Sequence, residues 1–593
     1  MPPQSASAAA AARKTPKVRR RHSGCKTCRK RGKRCDETKP TCRACLRLKL
    51  ECGYTVDYSF RNHDARSFRP RVETPKPSPA STESSDYDAL VMVNSTKPCS
   101  PSSLDCGSNL EATYWSHFHH HVRHLLPGIP AEFLQGATQS PALRFAALCI
   151  SASNLSMLNT QVQNRTITKD YRRSVASPLV NSLHHFQAQE YHKHALIHSK
   201  NHVKALSNPA MDLVSRVLLA YYHHASTDHL QFRLSVWDSV QFVIMHRDAL
   251  LRTVEGTAAL QTWYRLCISH RLSKPPAFML EGEGPSAFGP NRFPDTFDQL
   301  FLSCIMNMNT DDLIYDILIK TIEIRSRLVV FRCVAGTHQI FENSRDIGPV
   351  SYAVLNKLLG RNPTAFEQAE AEQGFVRGQN LVGLLEVQKQ RLQVWRSKTA
   401  TDQLKLLCDS EPKTRFPRHR DSMNALYSIL CEMMFQETNR SVEVDATQPG
   451  AEASSSILSS LAENMCSLAA TLDFRTSSTD DIYAFSLAEV LLQMVLVWRS
   501  EPIVNYILDV IWPQMESKSR GYEHSHYPTH LIKRIIHEIS RYAAQGRAVT
   551  FTQLAVPEDM PKVKLLDIDY PIHLVVGGYG GHGEHFLERI PLP

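Results

Sequence analysis

The sequence predicts a small zinc-stabilised N-terminal module joined to a large all-α C-terminal domain. Three observations carry this expectation. Six of the fifteen cysteines fall within residues 24–54, GCKTCRKRGKRCDETKPTCRACLRLKLECGY. The excess positive charge sits in the same first tenth of the chain. From about residue 109 onward, apolar residues recur at helical spacing and strand-like runs are scarce.

A chain of 593 residues is longer than one hydrophobic core usually organises, so a module plus a larger body is expected. The charge is uneven. Residues 1–54 hold 16 Lys+Arg and 3 Asp+Glu of the 68 and 58 in the whole chain. The head therefore carries +13, and the remaining 52 basic and 55 acidic residues give the body −3. A basic head on a near-neutral body is the electrostatic footprint of a polyanion-binding module. No apolar run reaches the ~18–20 residues that span a bilayer, so no membrane partner is expected. The densest stretch, Val490 to Trp498, reads as a buried helix. Alanines 8–12 precede the basic residues rather than follow them, the reverse of a secretory signal. Clustered cysteines without secretion are expected as thiolates on a metal rather than as disulfides.

Along the chain, residues 1–23 read as a disordered basic N-terminus and 24–54 as the cysteine module. Residues 55–108 read as a Pro/Ser-rich linker, with Ser/Thr-Pro dipeptides of the kind that composition alone produces. Residues 109–593 form the helical body. In 311–331, Ile314, Ile317, Leu318, Thr321 and Leu328 fall on one helical face. Similar patterns occur at 211–224, 421–435, 484–498 and 530–543, with breaks near 275–295, 345–364 and 438–456. A single short strand is expected at Ile572–Val576. The nine other cysteines lack metal spacing and read as linker thiols or small core hydrophobes.

Within the module, Cys25, Cys28 and Cys35 repeat as Cys42, Cys45 and Cys52 after an addition of seventeen. Structural zinc takes four ligands in a tetrahedron, with thiolates at ~2.3 Å. One zinc would leave two sulfurs spare, and two zincs need eight ligand slots. Six thiolates fill eight slots only when two of them bridge, and the duplication calls for one bridging sulfur from each repeat. So small a segment has almost no apolar core, so metal binding must supply most of its folding free energy, on the order of 10 kcal/mol per zinc. The repeats differ outwardly. Lys26, Arg29, Lys30, Arg31, Lys33 and Arg34 crowd the first, with no acid among them. A turn and short helix there would present cations to phosphates and base edges of double-stranded DNA. Leu46, Leu48 and Leu50 make the second repeat better suited to backing the first.

The segment resembles the fungal zinc binuclear-cluster transcription factors. Their C-x2-C-x6-C, variable loop, C-x2-C-x6-C pattern is matched at every cysteine, as are the loop proline (Pro40) and the aromatic after the last cysteine (Tyr54). The resemblance implies two Zn2+ bridged by Cys25 and Cys42, and a basic helix, Arg29 to Arg34, that reads a CGG triplet in the major groove. One position departs from the pattern: Gly32 stands where the family often keeps a lysine. Just upstream, Lys17, Arg19, Arg20 and Arg21 read as a nuclear-import signal. More weakly, 114–130, 140–159 and 217–243 look like the helical regulatory domain of the same proteins. The resemblance thus implies a nuclear regulator, with activation the favoured sign. Its partners would be DNA, the import machinery, the transcription machinery and, as one route of action, a second copy. The competing reading is a chromatin-localised enzyme or small-molecule sensor whose helical body carries the main activity.

Two other signals were weighed. The pairs His117/His121 and His120/His124 and the series His194/His198/His202 place imidazoles on common helical faces, but no HExxH-like carboxylate accompanies them. Gly578, Gly580 and Gly583 fit GxGxxG, yet the chain lacks the following helix, strand and acid of a dinucleotide fold, so a glycine turn is expected. No local Ser/His/Asp set or carboxylate pair points to an enzyme.

Overall fold

The computed structural model separates the chain into two compact units, 1–100 and 101–593. In the first it describes residues 25, 27–28, 31, 35–36, 38, 41–50 and 52. In the second it describes 106–126, 129, 133, 140–158, 181–201, 208–225, 229–271, 300, 303–304, 308–362, 377–399, 418–442, 450–474, 480–518, 529–556 and 571–593. The expected disordered N-terminus, nearly all of the linker, the import signal and the break at 275–295 lie outside the described residues.

The second unit is predominantly helical. It begins with α2 (Cys106–His117), following α1 (Arg43–Arg47) of the first unit, and α2 runs on through a π-helical turn, Phe118–Val122, to Leu125. Then come α3 (Pro141–Leu158), α4 (Ser182–Asn201), α5 (Pro209–Ala225), α6 (His229–Leu251) and α7 (Val254–Arg271). Past the break stand α8 (Thr310–His338), α9 (Ile347–Leu359), α10 (Gly378–Lys398), α11 (His419–Val442) and α12 (Gly450–Thr471). The last helices are α13 (Leu487–Val497), α14 (Glu501–Tyr506, continuing to Lys518) and α15 (Thr529–Ala544). No described helix is long and apolar enough to cross a membrane.

The axis of this body is α8, and the sequence understates it. Its start is set by Asn309, whose side chain accepts from the Asp312 N–H at 2.7 Å, and by two acids in the first turn that suit a helix N-terminus. Gln339, in the left-handed region, ends it. The expected face of Ile314, Ile317, Leu318 and Leu328 is buried, but so are Tyr315, Ile319, Ile322 and Ile324 around the rest of the cylinder. α8 packs against α10, α11 and the C-terminal sheet at once. By contrast α15 is amphipathic as read, burying Leu531, Ile532, Ile535, Ile536 and Ile539. The Val490–Trp498 stretch is the buried helix α13, opened by a capping box in which Ser486 N–H donates to Glu489 Oε2 at 2.9 Å.

Two readings are corrected. The break expected at 345–364 contains α9, because Pro349 falls in the first turn, where a missing N–H costs nothing. The single expected strand is the middle of three: β1 (Ala548–Ala555), β2 (Ile572–Tyr579) and β3 (His585–Leu592), antiparallel in that order. The glycine motif belongs to this sheet. A Cβ on Gly578 would meet the Ala548 carbonyl oxygen of β1 at 1.8 Å, and Gly583 (φ +82) turns β2 into β3.

A buried arginine locks helices to sheet. Arg325 on α8 grips Glu437 of α11 with two bonds (2.5 and 2.8 Å) and donates to the carbonyls of Leu496 (3.2 Å) and Thr550 (3.1 Å). One side chain thus satisfies groups on α8, α11, α13 and β1.

Candidate metal centre

The head is built almost entirely of sulfur. Cys25, Cys28, Cys42 and Cys45 are fully buried and form its only core among the described residues, with Cys35, Cys52 and Ala44 packed against them. Their backbone repeats as the spacing does. The Cys28 N–H donates to Cys25 Sγ and the Cys45 N–H to Cys42 Sγ, both at 3.4 Å. Likewise the Cys25 N–H reaches Cys35 Sγ (3.4 Å) and the Cys42 N–H reaches Cys52 Sγ (3.3 Å). Each bond maps onto its partner by the same addition of seventeen.

Two sets of four sulfurs converge, each within 4.8 Å: Cys25, Cys28, Cys35 and Cys42, and Cys25, Cys42, Cys45 and Cys52. The sets share Cys25 and Cys42, one per repeat. Sulfurs ~2.3 Å from a tetrahedral metal stand roughly 3.8 Å apart. The Cys25–Cys42, Cys28–Cys42 and Cys25–Cys45 sulfurs are 3.7, 3.7 and 3.6 Å apart. The residues present therefore fit a pair of metals with two bridging thiolates, the count that eight slots and six ligands required.

The same packing governs protonation. Burial pushes the Cys28 thiol up to about 12, and Cys45 is raised by the same cause. Burial acts on Cys25 too, but the Cys28 N–H and neighbouring thiols outweigh it and hold Cys25 below the usual thiol value. At Cys42 the Cys45 N–H is the main cause of a lowered value. The two sulfurs best prepared to be anions are thus the two shared ones, and divalent cations supply the charge that makes the remaining thiolates affordable.

Around the sulfurs, α1 starts at Cys42, whose side chain caps it, and ends in a Schellman motif: Leu50 N–H to Cys45 O (2.9 Å) and Lys49 N–H to Leu46 O (3.2 Å). Lys49 takes the left-handed position usually given to glycine. Asp36, which the sequence reading passed over, ties the inter-repeat loop to this helix. Its carboxylate accepts from the Thr38 hydroxyl (2.5 Å) and the Arg43 N–H (3.0 Å), and these bonds hold it down to about 2. An acid directly before a loop that leads to a helix start was the available signal.

Of the basic candidates, only Arg31 is among the described residues. Its N–H donates to Thr27 O at 3.1 Å, one helical turn after Cys28, and the residue is exposed. Lys26, Arg29, Lys30, Lys33 and Arg34 lie outside the described residues, as do Gly32, Pro40 and Tyr54. Leu46, Leu48 and Leu50 do not back the first repeat; they are 68%, 42% and 39% exposed. Because α1 is a single turn plus a cap, it has no inward face beyond Ala44 and Cys45.

The histidine series in the body forms no metal site among the described residues. His117 shares a hydrogen bond with Asn154 Oδ1 (2.8 Å), and His194 and His198 stack on Phe145. His202 lies outside the described residues.

Comparison with known proteins agrees with the geometry. Residues 23–58 match the family described as the fungal Zn(2)-Cys(6) binuclear cluster domain. "Transcription factor lfc1" of Flammulina velutipes is 40% identical over 88 residues, covering 15% of this chain and 31% of the relative. "Transcriptional regulatory protein pro1" of Neurospora crassa is 48% identical over 58 residues, 10% of this chain and 8% of the relative. "Sterol uptake control protein 2" of Candida albicans is 56% identical over 32 residues, 5% and 4%. These matches span less than a third of each relative's own length, and no solved structure matches the chain. Spacing, shared sulfurs and family match converge: the N-terminal module belongs to the fungal Zn(2)-Cys(6) binuclear cluster family, whose domains bind two zinc ions.

Proposed function

We propose that this protein is a nuclear, sequence-specific DNA-binding regulator of transcription. The observation that carries the reading is the pair of interlocked four-sulfur sets in a head of net charge +13. Zinc, when bound, clamps the two repeats together. The chain's own residues then do the binding: the turn that begins at Thr27 leads into the run from Arg29 to Arg34, whose cations meet phosphates and base edges. Two relatives of the head are named as transcriptional proteins, which supports the same role here.

The finer parts of the reading follow from the sequence. Lys26, Arg29, Lys30, Arg31, Lys33 and Arg34 contact DNA at CGG-like half-sites, with Gly32 loosening the preference. Lys17, Arg19, Arg20 and Arg21 address the chain to the nucleus. Residues 55–108 tether a helical regulatory body (109–593) that acts through the transcription machinery or a second copy, with activation as the sign. Selection from a random double-stranded DNA pool by the zinc-loaded chain tests this reading. CGG-containing sites should enrich, and binding should weaken steeply as salt rises. A pool that stays random, while RNA or protein ligands are retained, rejects it.

A further inference from the structure

The helical body contains a cavity of about 210 Å³ that the DNA-binding reading does not use. Four parts of the fold meet there: the π-helical turn after α2, the middle of α7, the first turns of α8 and α11, and the segment 480–484. Its volume lies below the range of drug-sized sites, and charged side chains dominate its wall, so a small polar occupant suits it better than a large apolar one.

Most of the lining charge is already spent. Asp312 accepts from Arg265 Nη1 at 3.0 Å, Asp311 accepts from Asn424 at 2.7 Å, and His419 Nε2 lies 2.8 Å from Asp481. Arg418 is held by both oxygens of Asp421. Arg420 donates to the His124 carbonyl at 2.8 Å. Two buried nitrogens on the wall are left over: Arg265 Nε and His121 Nε2 have no hydrogen-bond partner. Arg265 cannot turn to find one. Its guanidinium lies 3.2 Å over the Tyr315 ring and is pinned by Asp312. A guanidinium N–H left unpaired in a buried site is costly, and a void beside it invites an acceptor. His121 sits in the π-helical turn, an irregularity that recurs at functional sites.

We propose that this cavity binds a small metabolite through a carboxylate or phosphate group, with Arg265 Nε and the Nε2–H tautomer of His121 as its donors. His120 and His124 stand at the rim on the His121 side, while Asp480 adds an acid beside Asp481. The oxyanion therefore lies toward the histidines, and an ammonium on the same ligand would meet the acids. The occupant would join the turn after α2 to α7, α8 and α11, which makes the site a candidate input to the body. The inference does not rest on the DNA-binding reading.

Calorimetric titration of the zinc-loaded full chain with inorganic phosphate, succinate and glutamate, at constant ionic strength, tests the proposal. At least one should bind saturably, and the preferred probe separates phosphate, plain carboxylate and amino-acid chemistry. His121→Gln, which removes a nitrogen without a protein partner, should weaken that binding at least tenfold with the thermal midpoint preserved. Arg265→Gln should weaken it at least as much; if that chain fails to fold, His121→Gln decides alone. No saturable binding of any probe overturns the proposal. So does affinity unchanged by His121→Gln, the result expected if the basic head takes up the anion.

Discussion

The two units are held together by opposite means. The head has four buried sulfurs where a core would be, and its three leucines face solvent. The body has one continuous apolar core threaded by α8 and cross-tied by buried ion pairs. A fold of the first kind exists only while its ligand is bound, whereas the second is set by area removed from water and by the few charges sealed inside. All six tryptophans lie in the body, between Trp115 and Trp512, so their fluorescence reports on that unit alone.

The largest expected effect is on the head. Zinc removal by a strong chelator should abolish DNA binding, at a folding cost on the order of 10 kcal/mol per metal, and leave the tryptophan-detected midpoint of the body unchanged. The cysteines should not be equivalent. Cys25→Ser or Cys42→Ser removes a ligand from both sets and should empty both, whereas Cys35→Ser leaves Cys25, Cys42, Cys45 and Cys52 intact. Metal analysis that finds the same zinc content in all three variants would break the shared-sulfur arrangement.

The next effect is confined to the body. Arg325→Ala leaves Glu437 and two carbonyls without their partner and should destabilise the body by about 3–5 kcal/mol. Zinc content should stay at the wild-type value. A variant that instead lost zinc would show that the units are coupled.

A smaller effect depends on pH. Asp316 on α8 is buried, and burial would raise its carboxyl, but Lys320 and Arg391 outweigh that and hold it below the usual carboxylate range. A lowered folded value contributes stability that is complete above the unfolded value of ~3.9 and is lost as pH falls through the folded one. Asp316→Asn should therefore cost about 2 kcal/mol at neutral pH, and the difference from wild type should shrink below about pH 4. Urea midpoints at pH 7 and pH 3, followed by tryptophan fluorescence, check the sign.

How far the sequence could be read differs between the units for the same physical reason. Metal ligands are a local count: C-x2-C-x6-C twice over needs no knowledge of the rest of the chain. Amphipathic helices such as α15 announce themselves because one face meets water. α8 was legible as a helix but not as the axis, since a cylinder buried on all sides has no preferred face. β3 was missed because an edge strand that exposes Glu588 and Arg589 lacks the apolar run that marked Ile572–Val576. Arg325 and Glu437 stand 112 positions apart, and the cavity draws on residues from His120 to Ala484. No spacing rule joins residues so distant.

The shared sulfurs also say what kind of duplication the head is. Each metal takes three ligands from one repeat and a single ligand, Cys25 or Cys42, from the other. Cut between Cys35 and Cys42, the segment yields two halves with three sulfurs apiece, and neither can close a tetrahedron. The repeat copied was thus half a site, and the module behaves as a dimer whose partners share one chain. Its symmetry axis is an internal interface, and no single metal can be regarded as belonging to either half.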